Sequence, residues 1–479
     1  MLDELRAKLE RLEAAAAPLE PDADARRQFG GHALEHALAY WDQVETASTN
    51  RPWSEVFSQR LDPEFSEEGR ELPTVLDYIR ACVDAPGFAT TSPRFMAYIP
   101  GGAVPFAALG DLLAATSNKY SGFASASPGA VRIENACTKW LASVIGYPET
   151  AAGTLTSGGS VANLTAVVAA REARDPEGGG AVYTTRFAHY CVDKALHIAG
   201  RGRSPRRQIE TDEKHRMSVA ALEEALKADV KSGIRPWLVV ASGGTVDTGA
   251  IDPLPEIADV CRKYGAWFHV DGAYGGLFAL CDEGRELLRG IDQADSVALD
   301  PHKTLFLPYG TGAALVRDGR HLTEAFSATA HYISPLGESE VGPSPADLSP
   351  ELTRHFRALR LWLPLQVAGV AAFRAAQSEK LALARYFHAR LSEINGFDPG
   401  PPPDLSVVAF RYVPREGNSN EFTENLLKHL QAEGRVMFSG TRIDDVFYIR
   451  CAILVFRTHM RHVDQAIDAI VEGVASRNG

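Results

Sequence analysis

Short apolar segments that alternate with helical segments are the feature that most limits how this chain can fold. Between about residues 88 and 362, runs rich in Val, Ile and Ala are separated by stretches with helical periodicity. Strands that alternate with helices form a mostly parallel sheet with helices on both faces. The sequence therefore predicts an α/β domain here, with strands at 181–185, 237–242, 267–271, 296–299 and 312–316.

Two further regions flank the predicted α/β domain. Residues 1–87 have helical periodicity and predict an N-terminal helical arm, which begins with a heptad-like row of Leu2, Leu5, Leu9 and Leu12. Residues 363–479 predict a small α+β C-terminal domain, because strand-like runs at 405–413 and 446–455 precede a final helix. The Pro/Ser-rich segment 334–350 predicts a long exposed loop, a type that is usually functional or mobile.

Composition narrows the class of partner. The 479 residues are 45% hydrophobic, enough for a sizeable core, and the net charge of −12 argues against binding to nucleic acid or an anionic membrane.

The start lacks the pattern of a secretory signal, and no apolar stretch is long enough to span a bilayer. Six widely spaced cysteines predict reduced core thiols and no metal site. We therefore expect a cytoplasmic protein that binds a small molecule or another protein.

A small-residue turn follows the first of three informative strand ends. The segment Thr156-Ser-Gly-Gly-Ser-Val-Ala-Asn163 leads into a helical run at 164–173. Backbone N–H groups at a helix N-terminus and the positive end of its dipole suit a phosphate. An ordinary glycine-rich turn is the alternative for this segment taken alone. It has neither the ending of a P-loop nor the spacing of a dinucleotide fingerprint.

The other two strand ends carry a carboxylate and a lysine. Asp271 ends an apolar strand, and a buried carboxylate needs a cationic partner, although an aspartate that caps the next helix is the alternative. His302 and Lys303 follow another strand and precede an apolar run. Desolvation favours the neutral amine that attacks carbonyl groups, whereas an exposed loop lysine would have no such role.

Together these three groups match the requirements of pyridoxal 5′-phosphate. That cofactor needs a phosphate cradle, a carboxylate that keeps its ring nitrogen protonated, and a lysine that forms a Schiff base. The combination is far more specific than any one of its parts.

The chain resembles the group II pyridoxal-phosphate decarboxylases, the family of aromatic-amino-acid, histidine and glutamate decarboxylases. The resemblance runs through nearly the whole chain. It includes Ser92 to Pro100, Ser127 to Glu134, Thr156 to Asn163, His269 to Ala273, Asp300 to Lys303, His355 to Trp362, and Ile449-Arg450. It implies the aspartate-aminotransferase fold (fold type I) and a homodimer, in which a lid loop reaches the site of the partner.

The resemblance also implies roles for individual residues. Lys303 is the Schiff-base lysine, Asp271 the partner of the ring nitrogen, and His189 and Ala273 lie against the two ring faces. The remaining cofactor-binding residues are Gly159, Ser160, Thr245, Asp300 and His302, and the substrate-pocket residues are Tyr98, Ile99, Gly101 and Arg450. For His189 a helix-start histidine is the alternative. Arg450 binds a substrate carboxylate or pairs with a surface acid, and the residues alone leave both open.

The resemblance points to decarboxylation. Tyr332 lies 29 residues after Lys303, at the position of the family's lid tyrosine, which returns a proton to Cα after carbon dioxide leaves. A tyrosine that only packs in the lid is the alternative. In the family, phenylalanine at this position is associated with oxidative formation of an aldehyde. We therefore expect an L-amino acid with an aromatic or related apolar side chain to give its amine and carbon dioxide.

Other functions remain as alternatives. These are an aldehyde synthase or aminotransferase that uses the same cofactor, and an inactive homologue that only binds it. Thr304 stands where many relatives have tryptophan, Val161 where an acidic residue is common, and Ile99 where some have an aromatic residue. These departures fall at the lysine turn, the phosphate turn and the substrate pocket, so the sequence leaves the substrate open.

Overall fold

The computed structural model describes residues 1–53, 65, 67–327 and 341–478. The chain divides into two units, Met1–Ala89 and Thr90–Gly479. The first unit contains helices α1 (Leu2–Ala16), α2 (Ala23–Gln43) and α3 (Leu72–Ile79), a π-helical turn at Arg80–Asp84, and the antiparallel strands β1 (Asn50–Arg51) and β2 (Gly87–Phe88). The predicted arm is thus helical apart from one short strand pair. The helical stretch ends at Asp84, and Gly87, with a φ of +86°, begins β2.

The leucine row of α1 is exposed. Leu2, Leu5, Leu9 and Leu12 keep 61%, 52%, 57% and 55% of their surface accessible, and α1 has no buried residue. A helix with one apolar stripe gains most of its stability by packing that stripe against another surface.

A seven-stranded sheet forms the centre of the second unit. Its strands are β3 (Ala152–Thr156), β4 (Ala181–Thr185), β5 (Arg206–Ile209), β6 (Pro236–Ser242), β7 (Trp267–Gly272), β8 (Ser296–Leu299) and β9 (Gly312–Val316). They are ordered β3-β9-β8-β7-β6-β4-β5. Strand β9 runs antiparallel to both its neighbours, and the other pairings are parallel. The predicted mostly parallel sheet is confirmed.

Helices cover both faces of this sheet, as predicted. They are α4 (Pro105–Ser117), α5 (Pro128–Val144), α6 (Gly159–Arg174), α7 (Cys191–Ile198), α8 (Val219–Lys231), α9 (Leu254–Tyr264), α10 (Asp282–Leu287), α11 (Pro301–Thr304), α12 (Arg320–Phe326) and α13 (Ala358–Ala368). Side chains alternate along each strand. Val240 and Trp267 therefore pack with α6 and α7, whereas Phe268 and Val270 pack with α5, α8 and α9 on the opposite face.

The C-terminal part contains a second, smaller sheet. Strands β10 (Phe397–Asp398), β11 (Val407–Tyr412), β12 (Ser439–Ile443) and β13 (Val446–Ala452) are antiparallel in the order β10-β11-β13-β12. Helices α14 (Val370–Ser392), α15 (Ser419–Glu433) and α16 (Met460–Asn478) complete this part. Phe387, Phe410, Phe438 and Ile467 lie in its shared apolar core.

The predicted exposed loop at 334–350 is partly wrong. Residues 334–340 lie outside the described part of the chain, but Pro345, Leu348 and Ser349 are buried. Ser344 Oγ accepts a hydrogen bond from the Ala124 backbone at 3.1 Å, and Asn135 Nδ2 donates to the Val341 carbonyl at 3.0 Å. These contacts fix the second half of the segment against the domain.

Two further features concern cysteines and apolar helices. All six cysteines are buried and free, as the sequence predicts for core thiols. Among the helices that the structure describes, none combines the length and apolar character that a bilayer crossing needs.

Candidate functional site

The three strand ends singled out in the sequence open onto one cavity of about 300 Å³ in the second unit. Strands β7 and β8 are parallel neighbours, with Asp271 opposite Ala298, so both end at the same edge of the sheet. The lining comprises Ser157, Gly158, Gly159, Ser160, Val161, Asn163, Phe187, His189, Cys191, Ser242, Gly244, Thr245, Val246, Asp271, Ala273, Tyr274, Asp300, His302 and Lys303. This is the edge at which ligands of parallel sheets bind.

The phosphate turn, Ser157–Ser160, lies between β3 and α6. A Cβ atom on Gly159 would stand 2.7 Å from Asp300 Oδ2 and 3.1 Å from Ala273 Cβ, so the position has no room for a side chain. Gly158 has a φ of +153°, which L side chains rarely adopt. The first N–H groups of α6, those of Gly159 and Ser160, have no partner within the helix, so the turn could receive an anion.

Asp271 lies at the end of β7 and is half-buried. Its Oδ1 accepts a hydrogen bond from the backbone N–H of Ala273 at 3.1 Å. That contact is local, within the turn after β7, and leaves the second carboxylate oxygen available to a ligand. The carboxylate can thus meet a protonated ring nitrogen.

His189 is held as a neutral imidazole. Burial lowers its pKa from the ordinary value, and the charge of Asp271 only partly opposes this. The backbone N–H of Cys191 donates to His189 Nδ1 at 3.3 Å, so the proton of the neutral ring is on Nε2. A neutral, flat side chain in this cavity is suited to stacking on a cofactor ring.

Lys303 lies in the short helix α11, which follows β8. Its Nζ is 3.0 Å from Asp300 Oδ2. Asp300 is only 2% exposed, and its Oδ1 has no hydrogen-bond partner among the described residues. His302 Nδ1 donates to the Thr311 carbonyl at 2.7 Å, which directs the other ring nitrogen away from that carbonyl. The amine is therefore held by one buried carboxylate at the edge of the cavity.

These residues fit pyridoxal 5′-phosphate. The glycine turn leaves space for a phosphate. Asp271, which would meet the ring nitrogen, and Lys303, which would bind the aldehyde carbon, line the same cavity. Thr245 also lines it, and its Oγ1 is 3.0 Å from Thr248 Oγ1. Thr304, which departs from the family's usual tryptophan, is buried and donates to the Tyr274 carbonyl.

Four predicted substrate-pocket residues are not among the described residues that line the cavity. Gly101 packs beneath the lysine turn, where a Cβ would be 2.4 Å from the His302 carbonyl oxygen. Ile99 is buried in the main core, whereas Tyr98 is 54% exposed and has a φ of +57°. Their contact with substrate stays a prediction. Tyr332 lies outside the described residues.

Arg450, the fourth of these residues, is a buried cation. It is 3% exposed, and its guanidinium donates to Ser439 Oγ at 2.9 Å and to the Tyr98 carbonyl at 3.1 Å. Among the described residues its Nε has no hydrogen-bond partner, and the guanidinium contacts a hydroxyl and a carbonyl but no carboxylate. Burial lowers the pKa of Arg450, while Asp247 opposes this shift.

The sequence analysis did not assign roles to several cavity residues. Phe187, Ser242, Gly244 and Val246 follow β4 or end β6, and their places after strands were the available signal. His269 is not among the residues that line the cavity, but it also had no assigned role. It interrupts an apolar strand two residues before Asp271, and such a spacing puts both side chains on one face.

Comparisons with known proteins identify the family of the chain. The model of the pyridoxal-dependent decarboxylase conserved domain matches residues 55–413. An aromatic-L-amino-acid decarboxylase from Bacillus atrophaeus is 34% identical over 473 residues, which cover 95% of this chain and 98% of the relative. A phenylacetaldehyde synthase from Arabidopsis thaliana is 27% identical, with 94% and 96% covered.

The solved structures include a close match in fold. The crystal structure of Oryza sativa TDC with PLP and tryptamine superposes with a TM-score of 0.90 at 26% identity. The match covers 96% of this chain and 99% of that one. With the family model matched over most of its length, the chain belongs to the pyridoxal-dependent decarboxylases.

Proposed function

We propose that this chain decarboxylates an L-amino acid with an aromatic or related apolar side chain to the corresponding amine and carbon dioxide. The proposal rests on one observation: Lys303, Asp271 and the phosphate turn line the same cavity. The relatives include aromatic-amino-acid decarboxylases, and Phe187 gives the cavity an aromatic wall. Its six buried free thiols are typical of a reducing compartment, which supports a cytoplasmic location.

The cofactor is pyridoxal 5′-phosphate, which when bound accepts the electron pair that the departing carboxylate leaves on Cα. The N-terminus of α6, with Gly159 and Ser160, would hold the phosphate. Asp271 would keep a proton on the ring nitrogen, because an adjacent carboxylate favours the charged form of a base. His189 and Ala273 would hold the ring between them.

Lys303 would bind the cofactor covalently and release it to the incoming amino acid. Its amine is a nucleophile only when neutral, so the ammonium must first give up a proton. Asp300, at 3.0 Å, is the nearest group positioned to hold the Nζ atom during this change. The chain thus offers one residue for each task that the cofactor requires.

Turnover of amino acids tests the proposal directly. Holo-protein incubated with aromatic L-amino acids should release one carbon dioxide for each amine, measured by mass spectrometry of the products. Lys303→Ala should lower the rate by roughly 10³-fold or more, because no other residue supplies the nucleophile. A protein that binds the cofactor yet turns over none of the twenty amino acids would be the inactive homologue and would contradict the proposal.

Tyr332 is proposed as the acid that returns a proton to Cα. The support comes from the sequence, since a tyrosine stands at the lid position that the resemblance assigns to this role. It favours the amine as product over the aldehyde made by synthases among the relatives.

Replacement of Tyr332 should change the product. Tyr332→Phe should lower amine formation by roughly 10²-fold or more, the usual contribution of a general acid, and yield aldehyde, ammonia and oxygen consumption. Tyr264→Phe removes a phenol on the surface beside Glu223 and should leave the product unchanged. An oxygen electrode together with amine analysis measures both. Unchanged amine output from Tyr332→Phe would remove Tyr332 from this role.

Arg450 is proposed to bind the carboxylate of the substrate. A buried charge without an ionic partner is costly, and an anionic ligand would supply the missing partner. Among the described residues its guanidinium donates to a hydroxyl and a carbonyl and forms no ion pair, which supports this role over pairing with a surface acid.

Replacement of Arg450 should change the KM for the substrate. Arg450→Gln should raise KM roughly tenfold or more, equivalent to about 1.4 kcal/mol of binding per factor of ten. Arg442→Gln, on the adjacent strand β12, removes the same charge from an exposed pair with Glu424 and should change KM little. Arg450→Lys keeps the charge and should recover part of the loss. An unchanged KM with reduced thermal stability would assign Arg450 a purely structural role.

A homodimer is the assembly we propose. Helix α4 exposes an apolar row in which Phe106, Leu109, Leu112 and Leu113 are 38%, 40%, 62% and 53% accessible. Apolar patches of this kind mark interaction sites. The leucine row of α1 offers the N-terminal arm a similar means of covering the partner.

A charge in this row should disrupt the dimer. Leu112→Glu would bury a carboxylate without a partner, so light scattering should give a mass near 51.8 kDa in place of twice that value. Val230→Glu, an exposed apolar residue on α8, should remain dimeric. A wild-type monomer, or a dimeric Leu112→Glu variant, would be inconsistent with this interface.

A further inference from the structure

A chain of buried polar side chains joins strand β7 to the phosphate turn. Trp267 Nε1 donates to Ser296 Oγ at 2.8 Å, and Ser296 Oγ is 2.8 Å from His269 Nδ1. His269 Nε2 is 2.8 Å from Asn163 Oδ1, and Asn163 Nδ2 donates to the Gly159 carbonyl at 2.8 Å. We call these five residues the Trp267–Gly159 hydrogen-bond chain.

The two ends of this chain fix its direction. The indole N–H of Trp267 can only donate, and the carbonyl of Gly159 can only accept. The Asn163 amide therefore presents its oxygen to His269, which must carry its proton on Nε2. Ser296 then donates its hydroxyl proton to Nδ1. Burial lowers the pKa of His269 to about 4, so the ring is neutral near pH 7 and the direction persists.

The chain connects the two ends of the proposed cofactor site. His269 and Asp271 lie two residues apart on β7, so both side chains project from the face covered by α6. Asn163 lies in the first turns of α6, one helical turn after Gly159. The bond between His269 and Asn163 therefore ties the strand that carries the ring-nitrogen partner to the helix that begins at the phosphate turn.

We propose that His269 and Asn163 are positioning residues that set the distance between Asp271 and the phosphate turn, and so determine the affinity for pyridoxal 5′-phosphate. The inference rests on the proposed placement of the cofactor. The ring and the phosphate of that molecule have a nearly fixed separation. A small shift of α6 along the sheet would therefore weaken the contacts to either the ring nitrogen or the phosphate. Neither residue needs to take part in a chemical step.

Apolar packing offers a different explanation for the position of α6. Ala162 packs against Ala298 and Ala314 of the sheet and brings the helix close without any hydrogen bond. If that contact alone fixes α6, loss of the His269–Asn163 bond would reduce stability and leave the cofactor affinity intact. The two explanations thus predict different cofactor affinities for variants that lack the His269–Asn163 bond.

Titration of the full-length apoprotein with pyridoxal 5′-phosphate separates the two. Asn163→Asp keeps the acceptor for His269 but removes the donor to Gly159, and His269→Leu removes the bond to Asn163. Both should weaken cofactor binding at least tenfold and shift the phosphorus-31 resonance of bound cofactor. His269→Gln restores an N–H donor toward Asn163 and should bind within about threefold of wild type.

Tyr183→Phe is the matched control. It removes another fully buried hydrogen bond, from Tyr183 to Asp229 at 2.6 Å on β4, and should lower the melting temperature while binding cofactor within twofold of wild type. If Asn163→Asp and His269→Leu behave in the same way, with an unchanged phosphorus resonance, the positioning role is wrong.

A second comparison applies if His269→Leu does not fold. Ser296→Ala leaves the His269–Asn163 bond in place and should bind within about threefold of wild type, whereas Asn163→Asp should not. The reverse ranking would contradict the inference.

All these readouts concern cofactor binding. A protein that binds the cofactor but decarboxylates nothing would therefore overturn the proposed function and not the positioning role.

Discussion

The close approach of helix α6 to the central sheet is the constraint on which the proposed site depends. Ala162 packs against Ala298 and Ala314, and Gly159 has no room for a Cβ beside Asp300. These small side chains let the N-terminus of the helix reach the edge where β7 and β8 end. A larger residue at either contact would move the anion-binding N–H groups away from Asp271 and Lys303, because a packed interior cannot absorb the extra volume.

Buried charges in this protein fall into two kinds. Glu134 and Arg354 form an internal ion pair at 2.7 Å, and Arg354 also donates to the Leu155 carbonyl in β3, at 2.6 Å, so each of these charges has a partner of opposite sign within the protein. Arg450 has hydrogen bonds but no carboxylate partner within the described chain. A protein retains such a charge at a cost in stability, which a bound anion would offset. This contrast between two equally buried arginines is the physical reason to connect Arg450 with a ligand.

The sequence was sufficient for the large-scale architecture and for the groups that end β7 and β8, because apolar strands and the residues after them are read locally. It placed a strand end at Thr156 without giving bounds for β3, which is made of small residues, and it missed β5, which is polar. The His269–Asn163 bond joins positions 106 residues apart, and no local pattern indicates which polar residue a buried histidine will meet. For the same reason the close packing of Gly101 on the backbone of the lysine turn was not predicted.

The central claim is that Lys303 bears the cofactor in a cavity that Asp271 also lines. Reduction of the holo-protein with borohydride, followed by digestion and peptide mass spectrometry, tests it most directly, since reduction makes the lysine–cofactor bond permanent. The account predicts a pyridoxyl-phosphate adduct on the peptide that contains Lys303. An adduct on a different lysine, or none on a protein saturated with the cofactor, would contradict it.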